Sequence, residues 1–119
     1  MKHRRDPKHA EKISAWREAV LERDEYRCVV CGRGHRETNL TAHHMLPRSY
    51  ARNRIYDPNN GITLCQGAGC RGHDRAHLLA RPYIYCWFDG QRVKWSEDAS
   101  QCPPRRLIEE ALANASEPC

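Results

Sequence analysis

The chain is short of the residues that build a core. Leu, Ile, Val and Phe together number 18 of 119 residues, about 15%, and there is a single Phe. With 29% charged residues, such a composition points towards disorder unless a disulfide framework or a structural metal supports the fold. No apolar run is long enough for a signal-peptide core or a membrane span, and the opening Met1-Lys2-His3-Arg4-Arg5 is polar. There is no internal repeat and no long low-complexity segment. These absences leave one domain, expected in the cytoplasm, where a reducing environment keeps thiols available for metal.

Cysteine and histidine are plentiful, seven of each. Cys28-Val29-Val30-Cys31 comes first, followed by His43-His44, Asn60, Cys65, Cys70, His73 and His77. Tetrahedral zinc takes four thiolates or a mixture of thiolate and imidazole, and a closely spaced pair lets one turn supply two ligands. Cys28 and Cys31 have the two-residue spacing. Cys65 and Cys70 are separated by four residues, the glycine-containing Gln66-Gly67-Ala68-Gly69. A structural Zn2+ on Cys28, Cys31, Cys65 and Cys70 is therefore expected. The alternative leaves one or more of these thiols free and completes the site with a histidine. Cys86, Cys102 and Cys119 have no matching partners nearby and read as unligated.

The order of elements predicts a small α+β domain. Asp6-Pro7 has the chemistry of an N-cap followed by proline at the first helical position, and Ile13, Trp16, Val20 and Leu21 form an amphipathic stripe running to about Arg23 or Asp24. This stripe reads as core packing. Leu40 to Leu46 reads as a strand carrying His43 and His44 and closed by Pro47; Asp57-Pro58-Asn59-Asn60-Gly61 is turn chemistry, and Ile62-Thr63-Leu64 is a second short β segment. His73 to Ala80 reads as a helix stopped near Pro82. Tyr83–Phe88 and Arg92–Trp95 flank Asp89-Gly90, a hairpin signal. Pro103-Pro104 then opens a helix with Leu107, Ile108, Ala111 and Leu112 on one side. The single domain thus divides into a basic arm and helix (1–25), a cysteine–histidine core (26–80) and a covering hairpin and helix (81–119). The last part could equally be a docking surface for a partner.

His73 and His77 stand four apart on the expected helix, so both imidazoles share a face. Alone, such a pair is usually surface. With the histidine strand upstream to donate a further ligand, a second, open metal site becomes the better reading. Phosphodiester hydrolysis needs an activated water, charge stabilisation on the phosphoryl oxygens and help for the leaving oxygen. A neutral histidine is a suitable base near pH 7, and an adjacent divalent cation keeps it unprotonated. Imidazole ligands suit Zn, Ni, Co or Mn better than Mg. The net charge of +5 permits a polyanion partner. Arg48, Arg52 and Arg54 follow the histidine pair, while Arg71, Arg75 and Arg81 surround the last pair. They read either as a solvated surface or, given the adjacent site, as phosphate contacts.

From about Trp16 to His77, roughly half its length, the chain resembles the HNH nucleases, whose core is a ββα-metal fold. The resemblance is carried by Cys28-Val29-Val30-Cys31, by Ala42-His43-His44-Met45-Leu46-Pro47 and by Asn60 five residues before Cys65. Trp16-Arg17-Glu18-Ala19-Val20-Leu21 and Tyr26-Arg27-Cys28 are similar to members from phage genomes. The resemblance implies that His43 is a metal ligand, where many members have Asp, and that His44 is the general base. It implies that Asn60 orients loop and base, that His73 is the second ligand, and that His77 is a third ligand or a phosphate contact. One spacing departs from the family. Arg71 and Gly72 intervene between Cys70 and His73, where many members place the final histidine directly after the last cysteine.

The expected activity is metal-dependent hydrolysis of duplex DNA, by nicking or cutting, with one catalytic divalent metal (Mn, Ni, Co, Zn or Mg). Small free-standing members often accompany terminase genes in tailed-phage genomes. The resemblance therefore implies a partnership with the terminase large subunit in the host cytoplasm. The rival reading is a non-catalytic zinc-binding adaptor for DNA or protein, although an adaptor would not need His44 beside His43. A disulfide-stabilised secreted effector is a third reading, weakened by the lack of an export signal.

Overall fold

A computed structural model of the protein describes residues 7–47 and 54–116. The expected basic arm, Asp6, Arg48, Arg52 and Cys119 all lie outside the described residues.

Helix α1 spans His9–Arg23 and buries Trp16 and Val20, the centre of the predicted stripe. It begins later than expected: Lys8 is the N-cap, without a side-chain cap bond, and Pro7 precedes the helix in a turn. Strand β1, Leu40–His44, pairs antiparallel with β2, Gly61–Cys65, in the register His43 opposite Ile62 and His44 opposite Gly61. β1 stops two residues short of the predicted Leu46. There the backbone leaves the ladder for Asn60, whose side-chain oxygen accepts the Leu46 N–H at 2.7 Å.

All five residues of β2 are buried, because both of its faces are covered. Gly61 and Thr63 face α1: a Cβ on Gly61 would lie 2.4 Å from Val20 Cγ2, and the Thr63 hydroxyl donates to the Val20 carbonyl at 3.4 Å. Ile62 and Leu64 turn the other way and pack with Ile84. This alternation is the period of two of a strand. It explains why a segment of mixed polarity can be wholly buried.

Helix α2 is shorter than expected. It runs Gly72–Ala76 rather than from His73 to Ala80. His77 is its C-cap, and Leu78 takes a left-handed conformation (φ 61°). The Leu79 N–H reaches the Asp74 carbonyl at 2.8 Å and the Leu78 N–H reaches Arg75 at 3.1 Å, the paired bonds of a Schellman stop. Leucine occupies the place usually held by glycine, so propensity alone could not reveal this end.

Strands β3, Tyr85–Phe88, and β4, Val93–Ser96, form the second two-stranded sheet, with Phe88 opposite Val93. The Asp89-Gly90 turn exists, widened to four residues. The Asp89 carboxylate accepts the Gln91 and Arg92 N–H groups at 2.8 and 2.9 Å. Helix α3, Arg105–Ser116, closes this half of the molecule. Ile108 and Leu112 join Leu46, Trp87 and Phe88 in one apolar cluster, whereas Leu107, expected on the same face, is 43% exposed. On α3 the contact with this cluster is made by Ile108 and Leu112, with Ala111 packed beside them.

Candidate metal centres and catalytic site

The four expected cysteines converge. Cys28 and Cys31 lie on a turn tightened by the Gly32 N–H to Cys28 carbonyl bond at 2.8 Å, with Gly32 at φ 81°. Cys65 ends β2, and Cys70 follows a turn in which the Gly67 carbonyl accepts from both Cys70 and Arg71. The Arg33 guanidinium donates to the Ala68 carbonyl and ties the two turns together. The four sulfurs lie within 4.8 Å of one another. Cys28 and Cys70 sulfurs are 3.8 Å apart and those of Cys31 and Cys65 3.6 Å. A tetrahedron with zinc–sulfur bonds of about 2.3 Å has edges of about 3.8 Å, so the cluster has the dimensions of a zinc site.

The donor set fits a cation chemically. Burial opposes ionisation of Cys65, but N–H donors from Gly67 and Gly72, together with the Cys31 and Cys70 thiols, bring that thiol down to about 7. Burial raises Cys31 and Cys70 instead. A cation bound by the four sulfurs would displace their protons. Cys86 and Cys102 stand outside the cluster as free thiols, with burial pushing Cys86 up to about 12.

A second group lies where β1 meets α2. His43, His73 and His77 each offer a nitrogen, and these nitrogens lie within 4.8 Å of one another. The three rings meet edge to face: His43 and His77 centroids are 4.5 Å apart, and those of His73 and His77 4.4 Å. Although His77 is the helix cap, its N–H still bonds the His73 carbonyl at 3.1 Å, which keeps the two side chains on one face. Burial, then the neighbouring His77, His73 and His44, lowers His43 to about 3. Burial and His77 also lower His73. Both rings are neutral near pH 7, with lone pairs available to a divalent cation.

His44 follows His43 on the strand and so points to the opposite face. It stacks flat on Trp16 of α1, with centroids 3.9 Å apart and planes 4° from parallel. Its Nε2 lies 2.8 Å from the Ile55 carbonyl. A carbonyl only accepts, so Nε2 carries the proton and the basic lone pair of the neutral ring is on Nδ1.

Asn60 holds this arrangement. It is fully buried and joins both ends of the segment that follows β1. Its Nδ2 donates to the carbonyls of Leu46 at 3.1 Å and Arg54 at 3.2 Å, beside Ile55. The loop is also fastened to α1. Trp16 Nε1 donates to the Asp57 carbonyl at 2.9 Å, and Arg23 donates to the carbonyls of Pro58 and Gly61 at 2.8 and 2.7 Å.

The arginines are dispersed. Arg54 lies 3.8 Å from the Asp57 carboxylate. Arg75 is two residues from both His73 and His77, about 200° around a helix, and so lies on the other side of α2, where it pairs with Glu97 at 2.8 Å. Arg71 is the left-handed N-cap before the helix and pairs with Asp74 at 2.7 Å. Arg81 lies over the Tyr83 ring, 5.2 Å from its centroid. The structure thus gathers the cysteines and histidines and leaves the described arginines around them.

Three participants were not recognised in the sequence: the Ile55 carbonyl, the Arg23 clamp and the Trp16 face. Trp16 carried a signal, since it opens the segment similar to phage members, but its periodicity read as core.

The HNH endonuclease family model matches residues 28–67, a span holding Cys28, Cys31, His43, His44, Asn60 and Cys65 and ending before Cys70, His73 and His77. No curated protein and no solved structure matches the chain significantly.

Proposed function

We propose, from the match of residues 28–67 to the HNH endonuclease family model, that the protein is a metal-dependent DNA endonuclease that nicks or cuts duplex DNA. The observation that carries this reading is the pairing of a three-histidine cluster with His44 across one strand end. Cys28, Cys31, Cys65 and Cys70 would hold a structural Zn2+ that supplements the small apolar core. His43, His73 and His77 would hold a divalent cation, which when bound neutralises charge on the phosphate and its leaving oxygen. The remaining roles fall to the chain itself.

His44 Nδ1 takes a proton from the attacking water, while its Nε2–H stays on the Ile55 carbonyl. Asn60 fixes that carbonyl by holding Arg54 and Leu46. Displacement at phosphorus proceeds in line, with the nucleophile opposite the leaving group. Consecutive histidines on opposite faces of β1 suit this need, one serving attack and the other departure. Arg54 lies in the base-holding loop itself, beside Ile55, and would contact phosphate. Arg71 and Arg75 would do so along a flank of the duplex, and Arg48 and Arg52 complete the proposed set. The same reading extends to assisting a terminase large subunit during phage genome packaging, as the family resemblance implies.

Plasmid relaxation across Mg, Mn, Co, Ni and Zn, beside a His44→Ala variant of equal zinc content, tests the proposal. Metal-dependent nicking by the wild type and none by the variant is expected. A folded, zinc-loaded wild type that leaves plasmid intact with every metal would overturn it and favour the adaptor.

A further inference from the structure

Trp16 does more than fill the space between α1 and the hairpin. It is 4% exposed and its indole lies parallel to the His44 ring at 3.9 Å, while its Nε1–H is anchored on the Asp57 carbonyl at 2.9 Å. The Ile55 carbonyl and the indole restrain the His44 ring in different ways. The carbonyl at 2.8 Å sets the direction of Nε2, and the indole, stacked flat against the ring, sets its plane. The indole is itself tied to the loop that supplies the Ile55 carbonyl, because its bond to Asp57 spans the same turn. Both restraints thus move together with the 54–57 segment.

We propose that Trp16 is a positioning residue for the hydrolytic reaction, holding the plane of the His44 imidazole so that Nδ1 is aimed at the attacking water. This rests on the reading of His44 as the general base. A group that aims the base without touching substrate should change turnover and leave binding alone, since the pose of the base matters to the reaction and not to affinity for the duplex.

The test compares Trp16→Phe, Trp16→Leu and Val20→Ala in the zinc-loaded full chain. Phe keeps a flat face and loses the Asp57 bond; Leu fills the space without a flat face. Val20 is buried in the same α1–β2 contact beside Gly61 and reports loss of packing alone. The expected result is a kcat at least about tenfold lower for Trp16→Leu with KM within about twofold. Trp16→Phe should stay within about threefold of wild type, and Val20→Ala should keep its kcat despite lower stability.

A second readout needs no cleavage and survives failure of the nuclease reading. In wild type, ring-nitrogen NMR of His44 should show a single Nε2–H tautomer with ring protons shifted upfield by the indole. Trp16→Leu should lose the shift and average the tautomers, whereas Trp16→Phe should keep one tautomer. Equal kcat in wild type and Trp16→Leu would overturn the proposal, as would a parallel fall in Val20→Ala. A single fixed tautomer in Trp16→Leu would do the same. No cleavage by wild type alongside a fixed, shifted His44 ring would instead overturn the nuclease reading and leave the restraint itself measured.

Discussion

Replacing Asn60 with Asp exchanges one side-chain nitrogen for oxygen and keeps the shape, yet it should destabilise the fold more than Asn60→Ala. The side chain is wholly buried, accepts the Leu46 N–H at 2.7 Å, and donates to the Leu46 and Arg54 carbonyls at 3.1 and 3.2 Å. Alanine loses three hydrogen bonds, each worth about 1 kcal/mol net, so a loss of about 3 kcal/mol is expected. Aspartate keeps the bond from Leu46 N–H but turns an acceptor towards two carbonyls at a fully buried position. Ionised, it would also carry a buried charge costing several kcal/mol, so a loss of about 4 kcal/mol or more is expected. At this chain length about 4 °C of Tm accompanies each kcal/mol, giving drops of about 12 °C and about 16 °C.

Circular-dichroism melts of both variants with saturating zinc would measure this. The gap should narrow as pH falls towards 4, because a protonated carboxyl regains one donor. Asn60→Asp melting at or above Asn60→Ala at neutral pH would refute the assignment of donor and acceptor at this side chain.

Gly61→Ala would place a methyl 2.4 Å from Val20 Cγ2 and 2.8 Å from Trp16 Cζ2, both buried, so overpacking of about 1–3 kcal/mol and slower cleavage are expected in urea unfolding and plasmid assays. Cys65→Ser should abolish zinc retention and the cooperative melt, since structural zinc contributes on the order of 10 kcal/mol to such folds. Cys86→Ser should leave zinc content at wild-type level, as read by metal analysis. His43, lowered to about 3 from an ordinary 6.5, is neutral in the fold and takes up a proton only on unfolding. Its contribution is therefore complete above pH 6.5 and declines by about 1.4 kcal/mol per unit as pH falls towards 3. The difference in unfolding free energy between wild type and His43→Gln should follow that slope; a flat difference would contradict burial of the neutral ring.

Much of the site was legible because zinc and histidine chemistry leaves local marks. Two residues between Cys28 and Cys31, an adjacent histidine pair on a strand, and His73 four before His77 each encode a geometry that short-range backbone rules can express. What stayed hidden depends on contacts distant in sequence or on the backbone. Trp16 meets His44 across 28 positions of chain, and a helical stripe cannot say which ring lies beneath it. The Ile55 carbonyl has no sequence signature, since every residue has a carbonyl. The end of α2 was misplaced because Leu78 takes a glycine-like conformation there. Leu107 was placed on a buried face by periodicity that runs wider than the surface α3 covers.

The most direct test of the account is a Co2+ titration of the zinc-loaded protein, following visible absorption for wild type and His73→Ala. The account predicts one equivalent bound beyond the zinc in wild type, with an absorption typical of imidazole ligation, and its loss in the variant. Unchanged cobalt binding in His73→Ala, or none in wild type, would contradict the claim that His43, His73 and His77 form a metal centre.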